Sequence, residues 1–272
     1  MGFGLQTLKT LDQQRYLASL YIPEKWREDV AAIWAFDAEV ARIPSLVSEP
    51  MPGEIRIQWW RDLLTSGNKD GSGPLAEALL TAIEKHDLPP ETFYTYLEAR
   101  TFDLYNDPMP DTGSFEGYLG ETVSVHLQNA ALCLGAERTT LLADACGHAG
   151  MALGIAKLLA RLAIDRARRQ IFVPMEMVRK RGVSEESWLD GEISEGHLQV
   201  VEDLCQLCQY HATFAQSVIG ELPRALRPVF LQLAVVKPSL KAIRKAEERL
   251  FVSPVSLSPL GLQWAFFRAS MR

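Results

Sequence analysis

Gly150-Met-Ala-Leu-Gly-Ile-Ala-Lys157-Leu-Leu-Ala-Arg161-Leu-Ala-Ile-Asp165-Arg-Ala-Arg168-Arg169-Gln-Ile-Phe-Val-Pro174 is the stretch on which the fold reading turns. Its first part is apolar at every helical register, which marks a helix buried on all sides. Lys157, Arg161 and Asp165 interrupt it at four-residue intervals, so the three share one face. A basic turn follows, and Pro174 marks an exit. A cation pair on an otherwise buried helix requires a partner, because an unpaired charge in an apolar interior is costly. The leading candidates are Glu39 and Asp165, or a bound anion such as phosphate.

Working outward, apolar residues recur at three- and four-residue spacing in nearly every segment. The pattern predicts helices over 29–43, 55–64, 74–86, 91–105, 114–134, 138–165, 194–220, 223–235, 238–249 and 259–271, with short turns filling 174–190. Prolines and glycines fall between them, and Asn106 to Gly113 is the strongest loop in the first half. No alternating strand pattern is visible. The expected fold is all-α, a helical bundle formed by one domain spanning 1–272.

Composition narrows the function. A net charge of −6 argues against general nucleic-acid binding. Basic residues nevertheless bunch at 161–181 and 237–249, either as solvated faces or as patches for anionic lipid or an acidic partner. Four cysteines are too few for a disulfide framework in a chain of 272 residues and fit a reducing compartment. Cys205, Cys208 and His211 have ligand-like spacing but lack a fourth ligand, and a buried stripe of small residues is the simpler account. The first residues carry neither a basic n-region nor a long apolar core. The expectation is a cytoplasmic protein, with peripheral contact at the inner membrane face as a further possibility.

Several segments, taken in order, carry a family resemblance: Ala32-Ile-Trp-Ala-Phe36, Ile55-Arg56-Ile-Gln-Trp59-Trp60-Arg61, the helix near Tyr118, Gly147-His-Ala-Gly150, and Ile171-Phe-Val-Pro174. Together they resemble the squalene/phytoene synthase family over about residues 11–264. The resemblance implies an isoprenoid-synthase bundle around a central cavity. It also implies chemistry in which carboxylates four apart on two facing helices hold magnesium against a diphosphate.

This chain departs from that pattern where the chemistry sits. Ala41-Arg42-Ile43-Pro44-Ser45 stands at the first acidic motif, while Asp37 and Glu39, two apart, face different sides of a helix and make no substitute pair. Lys157 and Arg161 stand in the second motif, leaving Asp165. Gly120 replaces a tyrosine. The segments Phe36-Asp-Ala-Glu39-Val-Ala41, Tyr118-Leu-Gly-Glu-Thr122 and Arg168-Arg169-Gln-Ile-Phe-Val-Pro174 resemble the branch of the family associated with assembly of respiratory complex I. That branch implies a non-catalytic protein whose partner is a complex I subunit or assembly intermediate, with an isoprenoid or phospholipid as candidate ligand. The alternative is a prenyltransferase condensing isoprenyl diphosphates at an altered site, for which magnesium is required; otherwise no cofactor is expected. Glu39, Arg56, Trp60, Tyr118, Lys157, Arg161 and Asp165 are the candidate cavity residues, with no catalytic residue and no metal ligand assigned.

Overall fold

The computed structural model describes residues 2–271; Met1 and Arg272, the ends of the span expected as one domain, lie outside the described residues. Fifteen α-helices follow in order among them. The first half contains α1 (Phe3–Leu11), α2 (Gln13–Ser19), α3 (Glu24–Ala41), α4 (Pro50–Ser66), α5 (Pro74–Lys85), α6 (Pro90–Thr101), α7 (Thr112–Leu119) and α8 (Val125–Cys133). The second half contains α9 (Thr140–Ala160), α10 (Leu162–Ala167), α11 (Met175–Lys180), α12 (Glu185–Asp190), α13 (Glu195–Glu221), α14 (Val236–Ala246) and α15 (Pro259–Ser270). No strand occurs among the described residues, and the fold is all-α.

The centre of the bundle is built from α3, α8, α9 and α13. The consecutive residues Val30 to Phe36 of α3 are all buried, as are those from Ala149 to Ala156 on α9. α9 and α13 pack closely, through small residues on both sides: Ala152 and Ala156 on one, Cys205, Cys208 and Ala212 on the other. The cysteines therefore act as small apolar side chains. Burial pushes the Cys205 thiol up to about 11 and that of Cys208 up to about 12, and Cys208 Sγ donates to Ala152 O at 3.1 Å. No cluster of His, Cys, Asp and Glu able to hold a metal occurs among the described residues.

Glycine sets how near two further helices come. A Cβ on Gly4 of α1 would lie 2.7 Å from Ala32 N, and one on Gly150 of α9 would lie 2.7 Å from Ser124 Cα. Ser124 closes a π-helical turn, Gly120–Ser124, which divides the helix expected over 114–134 into α7 and α8. Such turns inside helices are common at functional sites.

Three other departures have physical causes. α1 and α2 were not anticipated; Asp12 separates them and caps α2, accepting from Arg15 N at 3.0 Å. Residues 224–235 form 3-10 turns rather than an α-helix, because Pro228 inside the segment lacks an N–H. The helix expected over 138–165 breaks at Arg161. There the N–H of Val255, from a strap near the C-terminus, donates to Ala160 O at 2.8 Å, while Ile164 N turns to Arg161 O.

Candidate functional site

A cavity of about 1390 Å³ lies between α3, α9, α10 and the N-terminal α2. Its walls include apolar side chains such as Leu119, Leu153, Ile164 and Phe172, beside an unusual density of charge. Asp37 is its centre. The residue follows seven consecutive buried residues on α3 and is itself 1% exposed. Arg15 Nη1 is hydrogen-bonded to Asp37 Oδ2; Arg100 Nη2 donates to Oδ1 at 2.7 Å, and Tyr96 Oη donates to the same oxygen at 2.7 Å. Burial alone would raise the carboxyl pKa, yet Arg15 and Arg100 outweigh it and hold Asp37 well below the usual carboxylate range.

The network continues outward. Arg100 Nη1 donates to Asp103 Oδ2 at 3.0 Å and to Tyr118 Oη at 3.0 Å, and Tyr118 Oη donates to Asp103 Oδ1 at 2.7 Å. On the other wall Arg161 Nη2 meets Asp165 Oδ1 at 2.9 Å. Burial pushes Asp165 up to about 6 against the pull of Arg161. Thus Asp37, Asp103 and Asp165 are each engaged by a fixed guanidinium. Arginine cannot yield its proton to vacate such a position.

Lys157 differs from these. Its nearest carboxylate oxygen, Asp12 Oδ2, is 4.0 Å away, and the side chain is half exposed where it lines the cavity. Burial of the surroundings pushes its ammonium pKa down. His126, also on the wall, is driven by burial down to about 3 despite Asp37 beside it, so the ring is neutral. Both its ring nitrogens, with Trp34 Nε1, Arg100 Nε and Arg161 Nε, are buried with no partner among the described residues.

Of the candidate residues, Tyr118, Lys157, Arg161 and Asp165 line the cavity. Glu39, Arg56 and Trp60 lie outside its lining, which corrects their expected position. Glu39 instead accepts from Arg42 Nε at 2.9 Å, since residues two apart diverge and Asp37 takes the inward position. Arg56 is exposed on α4. Trp60 packs edge-on against Phe36 with ring centroids 4.9 Å apart, and Trp59 is exposed. The basic run at 166–181 is largely used internally: Arg166 donates to Trp188 O and Gly191 O, Arg168 to Pro44 O, Arg169 to Asp190 and Arg181 to Asp203. Arg15, Arg100 and His126 were not assigned to the site from sequence, and Asp37 was named only beside Glu39 as no substitute pair, although an aspartate after an unbroken apolar run was a signal for its role.

The sequence profile described as squalene/phytoene synthase matches residues 8–261. The chain belongs to the squalene/phytoene synthase family. Among solved structures it is similar to a dehydrosqualene synthase, with a TM-score of 0.82 at 13% identity over 99% of this chain and 94% of the other. A squalene synthase, HpnC from Alicyclobacillus acidocaldarius, gives a TM-score of 0.75 at 17% identity over 89% and 93%. These likenesses concern the fold. Closer in sequence are proteins named NADH dehydrogenase (ubiquinone) complex I, assembly factor 6. The Bos taurus protein is 30% identical and the Homo sapiens protein 29%, each over 92% of this chain and 75% of the relative.

The family's magnesium does not fit the residues present here. Positions 41 and 45 carry Ala41 and Ser45, and α3 ends at Ala41, so they do not even share a helix. On the opposite wall the guanidinium of Arg161 repels a dication, and the remaining acid, Asp165, is bonded to it. Arg168 reaching Pro44 O at 2.6 Å joins the two former motif segments directly.

Proposed function

We propose that this protein is a non-catalytic synthase-fold factor in the assembly of respiratory complex I. It acts by contact with a complex I subunit or assembly intermediate, and its cavity holds an isoprenoid or phospholipid. The observation that carries the reading is the pairing of the three aspartates at the heart of the cavity with arginine: Asp37 with Arg15 and Arg100, Asp103 with Arg100, and Asp165 with Arg161. A site built for diphosphate ionisation needs carboxylate oxygens free to bind magnesium. Here internal cations occupy those oxygens, and the cluster has become part of the scaffold.

Similarity to the complex I assembly factors over 92% of the chain supports the same reading. Fold alone would leave the choice between synthase and assembly factor open; the altered charge pattern supports the second. No helix among the described residues is long and apolar enough to cross a membrane, and action from the cytoplasmic side of the inner membrane is part of the proposal. Deleting the gene should lower the amount of fully assembled NADH dehydrogenase in native gels of the membrane fraction, and the intact gene should restore it. Unchanged assembly in the deletion strain would refute the proposal.

A further inference from the structure

α15, the last helix among the described residues, presents an apolar face that no other described element covers. On α15, Leu262 and Phe266 point inward, the latter against Tyr21 with ring centroids 6.4 Å apart. Leu260, Trp264, Phe267 and Met271 recur at intervals of four, three and four, a single helical stripe. They are 78%, 61%, 48% and 74% exposed. Side chains of that size left in water on one helix face mark a binding surface.

Charge indicates the partner. The chain carries −6 overall, but residues 222–271 hold eight lysines and arginines against two acids. Of those eight, only Arg244 makes an ion pair among the described residues, with Glu202. α14 and α15 both pack on the 3-10 segment 224–235. Lys237, Lys241 and Lys245 are exposed along α14, and Arg224 and Arg268 are exposed too. No acid lies between residues 249 and 271. Aromatic and aliphatic side chains on the same helix as the exposed Arg268, packed on the segment that carries Arg224, match the two layers of an anionic bilayer surface, acyl chains below and phosphates above.

We infer that the outer face of α15, with the exposed cations Arg268 on the helix itself and Arg224 on the segment it packs against, docks this protein on an anionic phospholipid bilayer. The inference does not depend on the role in complex I assembly. It places the cavity near the lipid as well, because the strap leading into α15 supplies Pro254, Val255, Ser256 and Leu257 to the cavity wall.

The full-length protein is sedimented with vesicles of equal parts phosphatidylcholine and phosphatidylglycerol, and with phosphatidylcholine alone. Binding should be strong to the first, weak to the second, and reduced by salt. Replacing Trp264→Ser together with Phe267→Ser should lower partitioning by about a hundredfold, roughly tenfold per aromatic side chain. Both residues are exposed, so the melting temperature should not change. A second readout does not require the paired variant to fold: brominated acyl chains should quench the wild type's tryptophan fluorescence more than that of Trp264→Phe. Failure to sediment, sedimentation insensitive to the paired substitution, or equal quenching in both proteins would overturn the inference. So would a self-association in size-exclusion runs that the same substitutions abolish while vesicles bind neither protein.

Discussion

Replacing Asp37 with alanine separates the two roles a buried carboxylate can have in this fold. A carboxylate kept for catalysis is strained by its neighbours, and removing it is neutral or stabilising. In this chain Asp37 accepts from Arg15, from Arg100 at 2.7 Å and from Tyr96 at 2.7 Å, and it is 1% exposed. Its loss leaves two guanidiniums without their shared counter-ion, one of them only 7% exposed. Breaking a buried pair by removing one partner costs about 3–5 kcal/mol, because the remaining charge is uncompensated. For a chain of this size a change of 1 kcal/mol moves the melting midpoint by ~2–4 °C, so Asp37→Ala should melt roughly 6–20 °C lower. Arg15→Met added to that variant should recover part of the loss. Scanning calorimetry at neutral pH provides the measurement. A shift within a degree or two of wild type, or a gain, would contradict the assignment of Asp37 as a scaffold anchor.

Two further outcomes follow from the same geometry. His126 is neutral in the fold with its pKa held at about 3 against an ordinary 6.5. Its stability contribution is therefore complete above pH 6.5 and is lost as pH falls towards 3. Between pH 7 and pH 5 this amounts to about 2 kcal/mol; denaturant titrations of His126→Phe should lack that increment, and identical pH dependence in both proteins would remove the reasoning. Gly150→Ala should destabilise by about 1–3 kcal/mol through overpacking, since its Cβ would fall 2.7 Å from Ser124 Cα. Gly147→Ala, whose Cβ meets nothing within 4 Å, serves as the control in the same urea melts and should be neutral or slightly stabilising.

The family and the helix content were legible because both rest on local pattern: buried runs such as Val30 to Phe36, and anchors in a fixed order along the chain. The break at Arg161 was not legible, since neither glycine nor proline marks it and its cause is Val255, more than ninety residues away. The same limit governed the site. Lys157, Arg161 and Asp165 were found together because four-residue spacing fixes a common face. Arg15 and Arg100 reach Asp37 from two other helices, and no spacing connects residues on separate elements. Glu39 was misplaced by two positions along the helix: Asp37 points inward, and Glu39, two residues on, points to the surface. The charge exchange read at Arg161 was the visible half of a larger change. Its other half, two arginines neutralising the buried Asp37, became apparent only in three dimensions.

The measurement that bears most directly on the central claim is pyrophosphate release by the purified protein with farnesyl or geranylgeranyl diphosphate and magnesium. With Asp37, Asp103 and Asp165 held by Arg15, Arg100 and Arg161, release should not rise above that of a heat-killed control, with or without the metal. Magnesium-dependent release well above the control would contradict the account, because it would require carboxylate oxygens that this arrangement gives to arginine.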